Sequence, residues 1–213
     1  HCVAIDHLGF GDSDKPRHGD YTIAKQAERA LKVADHFHFE KFVVVGHSMG
    51  GQIATYLAAN LAPHRVQKLI SVDGVVTGEL SYRIRTLNRS LIVVGKKIPA
   101  IYSLALKLFN LSKPFSCWGF KVWFYKPKEL PFESWELDRK MAINPAIAFS
   151  TPKAWDSINA TDLTPMLKNI TMPTLILFGN QDGTVPIEQA HLFKEKLPSA
   201  QLTIIESCGH FPM

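Results

Sequence analysis

The sequence of 213 residues predicts an α/β protein: a mostly parallel sheet with helices on both faces and an inserted, mostly helical cap. Three observations predict it. Short runs that are apolar throughout recur near both ends of the chain, as buried parallel strands do. Stretches with helical spacing separate these runs. Between about residues 75 and 159 the alternation stops, which divides the chain into a core (1–74 and 160–213) and a cap (75–159).

The elements follow in order. "CVAID" (2–6) reads as a short strand ended by the glycine-rich "HLGFGDSDKP" loop. From Tyr21 to Phe37, apolar residues recur at Ile23, Ala27, Ala30, Leu31, Ala34 and Phe37, with Thr22 as the helix cap. "FVVVG" (42–46) is a strand, and Gln52 to Leu61 a helix. "KLISVDG" (68–74), "TLILFG" (174–179) and "QLTIIES" (201–207) are further strands, with a helix over 185–197 between the last two. In the cap, "LIVVGKKIPAIYSLALKLFNL" reads as helical with a break at Pro99. "KPFSCWGFKVWFYKPKELPFESW" is aromatic and punctuated by prolines.

Composition narrows the class of function. Apolar content of 46% and charge of 20% are those of an ordinary globular protein. The three cysteines have neither metal nor disulfide spacing, which points to a reducing, cytoplasmic compartment. Net charge is +5, but unevenly placed. Residues 78–150 hold twelve of the 24 Lys and Arg, five of the 19 Asp and Glu, and twelve of the 22 aromatic residues. No regular basic stripe with a reading helix accompanies this charge, so nucleic acid is not an expected partner. The cap lysines read as a solvated face. They also leave open contact with anionic substrates or a membrane surface.

One stretch demands a chemical explanation. In "VVVGHSMGGQIA" (43–54), Ser48 stands between glycines where a strand turns into a helix. A sharp strand-to-helix turn strains the serine backbone and lifts its oxygen clear of the chain. Gly46 and Gly50 are expected to be small because strand and helix pass close together. The Met49 N–H, at the helix start, points where an oxyanion would form. A serine hydroxyl is a weak nucleophile and needs a base, which in turn needs an orienting carboxylate. Asp182 follows the strand 174–179, and His210 follows the strand 201–207. Both fall at carboxyl ends of parallel strands, where such sheets gather ligands. Asp73 also ends a strand and competes with Asp182. Asp156 and Asp162 read as capping or solvated residues, Asp6 as a tie for its own loop, and His47 as a packing or hydrogen-bonding residue. His36 and His38 diverge on their helix and make a poor metal pair. The third glycine of a dinucleotide loop would fall on Asp14, which rejects that motif.

With "GHSMGG" (46–51), "GNQDGTVP" (179–186), "CGHFPM" (208–213) and "DHLGFGDSDKP" (6–16), the chain resembles the α/β-hydrolase family, in particular its capped serine hydrolases. The resemblance implies Ser48 as nucleophile, His210 as proton relay, Asp182 as its orienting acid, and Met49 as oxyanion donor. It implies no metal and no organic cofactor. A small hydrophobic ester or related acyl compound is the expected substrate, cleaved through an acyl-enzyme. Carbon–carbon bond hydrolysis, peptidase, acyltransferase and perhydrolase chemistry use the same triad, and a barely catalytic ligand receptor can retain it. A serine at position 48 argues against dehalogenase and epoxide hydrolase chemistry, which use an aspartate there.

The family also carries earlier strands, a His-Gly loop supplying the second oxyanion N–H, and a helix after the histidine. Nothing in this chain matches them, so it is expected to be a fragment. A gap is expected where a missing strand would join "CVAID" to "FVVVG".

Overall fold

The computed structural model describes residues 1–126 and 132–213. Pro127 and Pro131, two of the prolines in the aromatic stretch, lie outside the described residues. Among the described residues four strands form one sheet: β1 (Phe42–His47), β2 (Val66–Val72), β3 (Thr174–Gly179) and β4 (Gln201–Ile205). They lie side by side in chain order, and every neighbouring pair is parallel. Helix α1 (Ile23–His36) precedes β1, and α2 (Met49–Tyr56) follows it. The insertion between β2 and β3 holds α3 (Tyr82–Lys97), α4 (Pro99–Leu111), α5 (Lys113–Phe120), α6 (Phe132–Ala142) and α7 (Ile147–Ala160). Helix α8 (Glu188–Lys196) joins β3 to β4.

The sequence forms these elements for local reasons. Thr22 caps α1 by accepting from the Lys25 N–H, as expected. Pro99 occupies the first turn of α4, where its missing N–H costs nothing, so α3 and α4 are separate helices. The helix after Ser48 does not run uniformly to Leu61. It ends at Tyr56 and relaxes into a wider turn over Leu57–Leu61, closed by the Ala62 N–H donating to the Leu57 carbonyl at 2.9 Å.

One expected strand is absent. Residues 2–6 join no ladder, and Cys2 to Ala4 are exposed. A strand exists only with a hydrogen-bonding neighbour. Among the described residues β1 is an edge strand of the sheet, and residues 2–6 add no neighbour to it.

The two faces of the sheet are covered unequally. Parallel crossovers are right-handed, and here every step between strands runs in the same direction. The crossover helices α2 and α8 therefore fall on one side of the sheet. Leu69, Ile176 and Phe178 point to that side and are almost fully buried with Ile53, Leu57, Ala190 and Phe193. Each fully buried Leu, Ile or Phe contributes about 1.5–3 kcal/mol to folding. On the other side, Val43 and Val45 of β1 are 47% and 62% exposed.

Candidate active site

Ser48 sits between β1 and α2 with φ 53° and ψ −117°, a conformation few non-glycine residues adopt. Backbone hydrogen bonds hold it there. The Ser48 N–H donates to the Val72 carbonyl at 2.9 Å, and the Ser48 carbonyl accepts from Gln52 N at 3.1 Å and Val75 N at 3.3 Å. Close packing of backbone on backbone completes the turn. A Cβ on Gly46 would lie 2.0 Å from the Gly50 carbonyl oxygen. Gly50 differs from expectation: a Cβ there would meet nothing within 4 Å, so its own side is open. The second tight position is Gly51, whose Cβ would lie 2.7 Å from the Gly74 Cα.

The structure brings Ser48, His210 and Asp182 together. His210 Nε2 lies 2.9 Å from Ser48 Oγ, and His210 Nδ1 lies 2.7 Å from Asp182 Oδ2. A carboxylate only accepts, so Nδ1 carries the ring proton and Nε2 offers its lone pair to the serine hydroxyl. Asp182 Oδ1 accepts from Thr184 N at 2.7 Å and Val185 N at 3.2 Å, a local turn that fixes the carboxylate. The side chains of Asp182 and His210 are 0% and 4% exposed, so their contact is shielded from water. Met49 is the first residue of α2, and the first N–H groups of a helix lack partners within it.

Several further residues brace this line. His47 donates from Nε2 to the His210 carbonyl at 2.6 Å, and its ring centroid lies 4.7 Å from that of His210. Burial, helped by the nearby His210, pushes the His47 ring down to about 4, so it stays neutral near pH 7. It ties the histidine loop to the end of β1, in keeping with a hydrogen-bonding role. The Trp123 carbonyl accepts from His210 N at 3.1 Å. Gly209 packs against backbone of Trp123, Phe124 and Tyr125, so the insertion rests directly on the histidine loop. Phe120, Phe124 and Phe211 stack beside it. Only the fold shows which of the aromatic rings meet this loop.

Asp73, the competing acid, is fully buried at the end of β2 with φ 42°. Its Oδ1 accepts from Gly179 N at 2.9 Å, and its Oδ2 has no hydrogen-bond partner. Burial, with Asp182 adding repulsion, pushes its carboxyl up to about 8. Ligand atoms of His47, Asp73 and His210 lie within 4.8 Å of one another. His47 Nε2 and both nitrogens of His210 already have hydrogen-bond partners.

The remaining candidates behave as surface or turn groups. Asp6 Oδ2 accepts from Asp12 N at 2.9 Å within its own loop. Asp162 Oδ1 accepts from Thr164 N at 2.8 Å, and Asp156 pairs with Lys96 on the surface. Cys2, Cys117 and Cys208 are all free.

A parallel sheet, a strained serine at a strand-to-helix turn and a histidine–aspartate pair at later strand ends are the marks of one large fold family. The family model of the alpha/beta hydrolase fold matches residues 1–89 and 121–213, and the chain belongs to that family. An uncharacterized protein of Mycobacterium tuberculosis is 30% identical over 216 residues, covering 99% of this chain and 62% of that protein. The chain thus spans less than two thirds of that relative's length. The 2-hydroxymuconate semialdehyde hydrolase of Pseudomonas putida is 26% identical over 98% of this chain and 70% of its own length. Among solved structures, a bacterial membrane phospholipase A superimposes with a TM-score of 0.74 at 27% identity, over 98% of this chain and 63% of that one.

Proposed function

We propose that the protein is a serine hydrolase of carboxylic esters that works through an acyl-enzyme. One observation carries this reading: the continuous hydrogen-bonded line from Ser48 Oγ through His210 to Asp182. Ser48 Oγ attacks the ester carbonyl carbon while His210 Nε2 takes the hydroxyl proton. The Met49 N–H, at the positive end of α2, stabilises the oxyanion. His210 returns the proton to the departing alkoxide, leaving Ser48 acylated. A water then gives its proton to His210 and its oxygen to the acyl carbon, releasing the acid and restoring the serine. Asp182 holds the Nδ1 proton in place throughout. The aromatic rings beside His210 favour an apolar acyl or alcohol group.

A fluorophosphonate probe tests the nucleophile. Wild type should label at Ser48, and Ser48→Ala should not label. With p-nitrophenyl esters of rising chain length, Ser48→Ala should lose about 10⁴-fold or more of kcat. Equal labelling of the two proteins would remove Ser48 as nucleophile. Carbon–carbon bond hydrolysis is a second reading, favoured by the Pseudomonas putida relative. Under it, 2-hydroxymuconate semialdehyde would be consumed faster than any of the esters.

A further inference from the structure

Helix α4 hides Tyr102 and Asn110 against the rest of the protein and turns an apolar stripe to water. Ile101, Leu104, Leu108 and Leu111 recur at intervals of three and four, so they share one helix face. Phe115 and Trp118, three apart on α5, extend the apolar surface. All six are between 53% and 72% exposed. Isolated exposed leucines are ordinary, but a helix-long series is the mark of a surface that meets a partner. No described helix is long and apolar enough to cross a membrane, so such a helix lies along a surface instead of through it.

Charge identifies the partner. From Leu80 to Lys128 the chain carries ten Lys and Arg and no Asp or Glu. Lys107 falls within α4, and Lys113 opens α5; both are exposed. A second copy of the protein would bring like charges together across the stripe. Nucleic acid would take up the cations and leave the leucines in water. An anionic bilayer satisfies both halves: leucines enter the acyl boundary, lysines reach the headgroups, and a tryptophan sits between them. The geometry points to the α4–α5 face as a docking surface for an anionic lipid bilayer, with helix α4 lying in the interface. This binding stands apart from the ester chemistry proposed for Ser48. It would nevertheless place the aromatic rings beside His210 close to lipid, because α5 leads directly into Trp123.

Vesicle co-sedimentation tests the proposal. Phosphatidylcholine vesicles, with and without 30% phosphatidylglycerol, serve as probes at about 50 mM and 500 mM salt. The protein should bind the anionic vesicles at low salt, bind neutral ones far more weakly, and come off at high salt. Tryptophan emission should shift to the blue on binding, and Trp118→Phe should lose most of that shift while still binding. Paired substitution of Lys107→Glu and Lys113→Glu should lower partitioning about tenfold or more. Leu104→Ser with Leu108→Ser should also lower it, with circular dichroism unchanged. Activity on a soluble short ester should be unaffected by these surface substitutions, which separates failed docking from failed chemistry. Absence of binding to anionic vesicles at low salt would overturn the proposal. So would a lipid-free dimer that already buries Trp118, or binding indifferent to both pairs of substitutions.

Discussion

At residue scale, the candidate site rests on three side chains with motifs and several without. Ser48, Asp182 and His210 were legible because each stands in a short string with its own turn chemistry. His47 and Asp73 stood out as residues, but their partners, and the part played by Trp123, did not, because those contacts cross long stretches of chain. The His47 bond to the His210 carbonyl spans 163 positions and uses a backbone atom, which leaves no sequence signature. Asp182→Asn should keep the fold and lower kcat on p-nitrophenyl esters by about 10⁴-fold, since the amide no longer holds the Nδ1 proton. Asp73 makes a different prediction. Its carboxyl is ordinary in the unfolded chain and raised to about 8 in the folded one. Between about pH 4 and 8 the folded state therefore binds more protons, and stability falls as pH rises through that window. Asp73→Asn keeps the acceptor for Gly179 N and removes the titration. Melting temperatures measured from pH 5 to 8 should decline in wild type and stay flatter in the variant. Parallel curves would refute the assignment.

At the scale of single elements, strand positions in the sheet came close to those read from apolar runs, and β3 matched to the residue. The run "CVAID" was misleading because a strand is a property of a pair, and apolar content cannot report whether a neighbour is there. The turn at Ser48 was legible as glycine-rich, and Gly46 is tight as expected, but the second tight position, Gly51 in place of Gly50, was not legible. Closeness is set by Gly46 against the Gly50 backbone and by Gly51 against Gly74, a contact between distant segments. Gly46→Ala should lower stability by more than the ~1–3 kcal/mol usual for overpacking, because the clash is with backbone. Gly51→Ala also meets backbone but less closely, at 2.7 Å against 2.0 Å, so it should cost less than Gly46→Ala. Gly50→Ala should leave the melting temperature within about 1 °C of wild type, having open space for its methyl. Denaturant unfolding of the three variants orders them directly.

For the molecule as a whole, composition set residues 78–150 apart but did not tell how the helices between β2 and β3 are fastened. The fastenings are buried polar groups. Ser150 of α7 donates to the Gly9 carbonyl at 2.8 Å, Ser157 accepts from Ile23 N at 2.7 Å, and Gln52 donates to the Thr161 carbonyl at 2.8 Å. Serines and glutamines look like surface residues in a sequence, so these links stayed hidden until the fold placed them. Ser150→Ala leaves the Gly9 carbonyl without that donor and should cost about 1–3 kcal/mol in urea unfolding. The unequal cover of the sheet was hidden too, since it follows from strand order and not from the strands themselves. Strand order has one more effect, on timing. A ribosome releases Ser48 first, and the imidazole paired with it emerges 162 residues later. Until then the growing chain carries an unpaired hydroxyl, and the line from Ser48 to Asp182 can form only after His210 has followed.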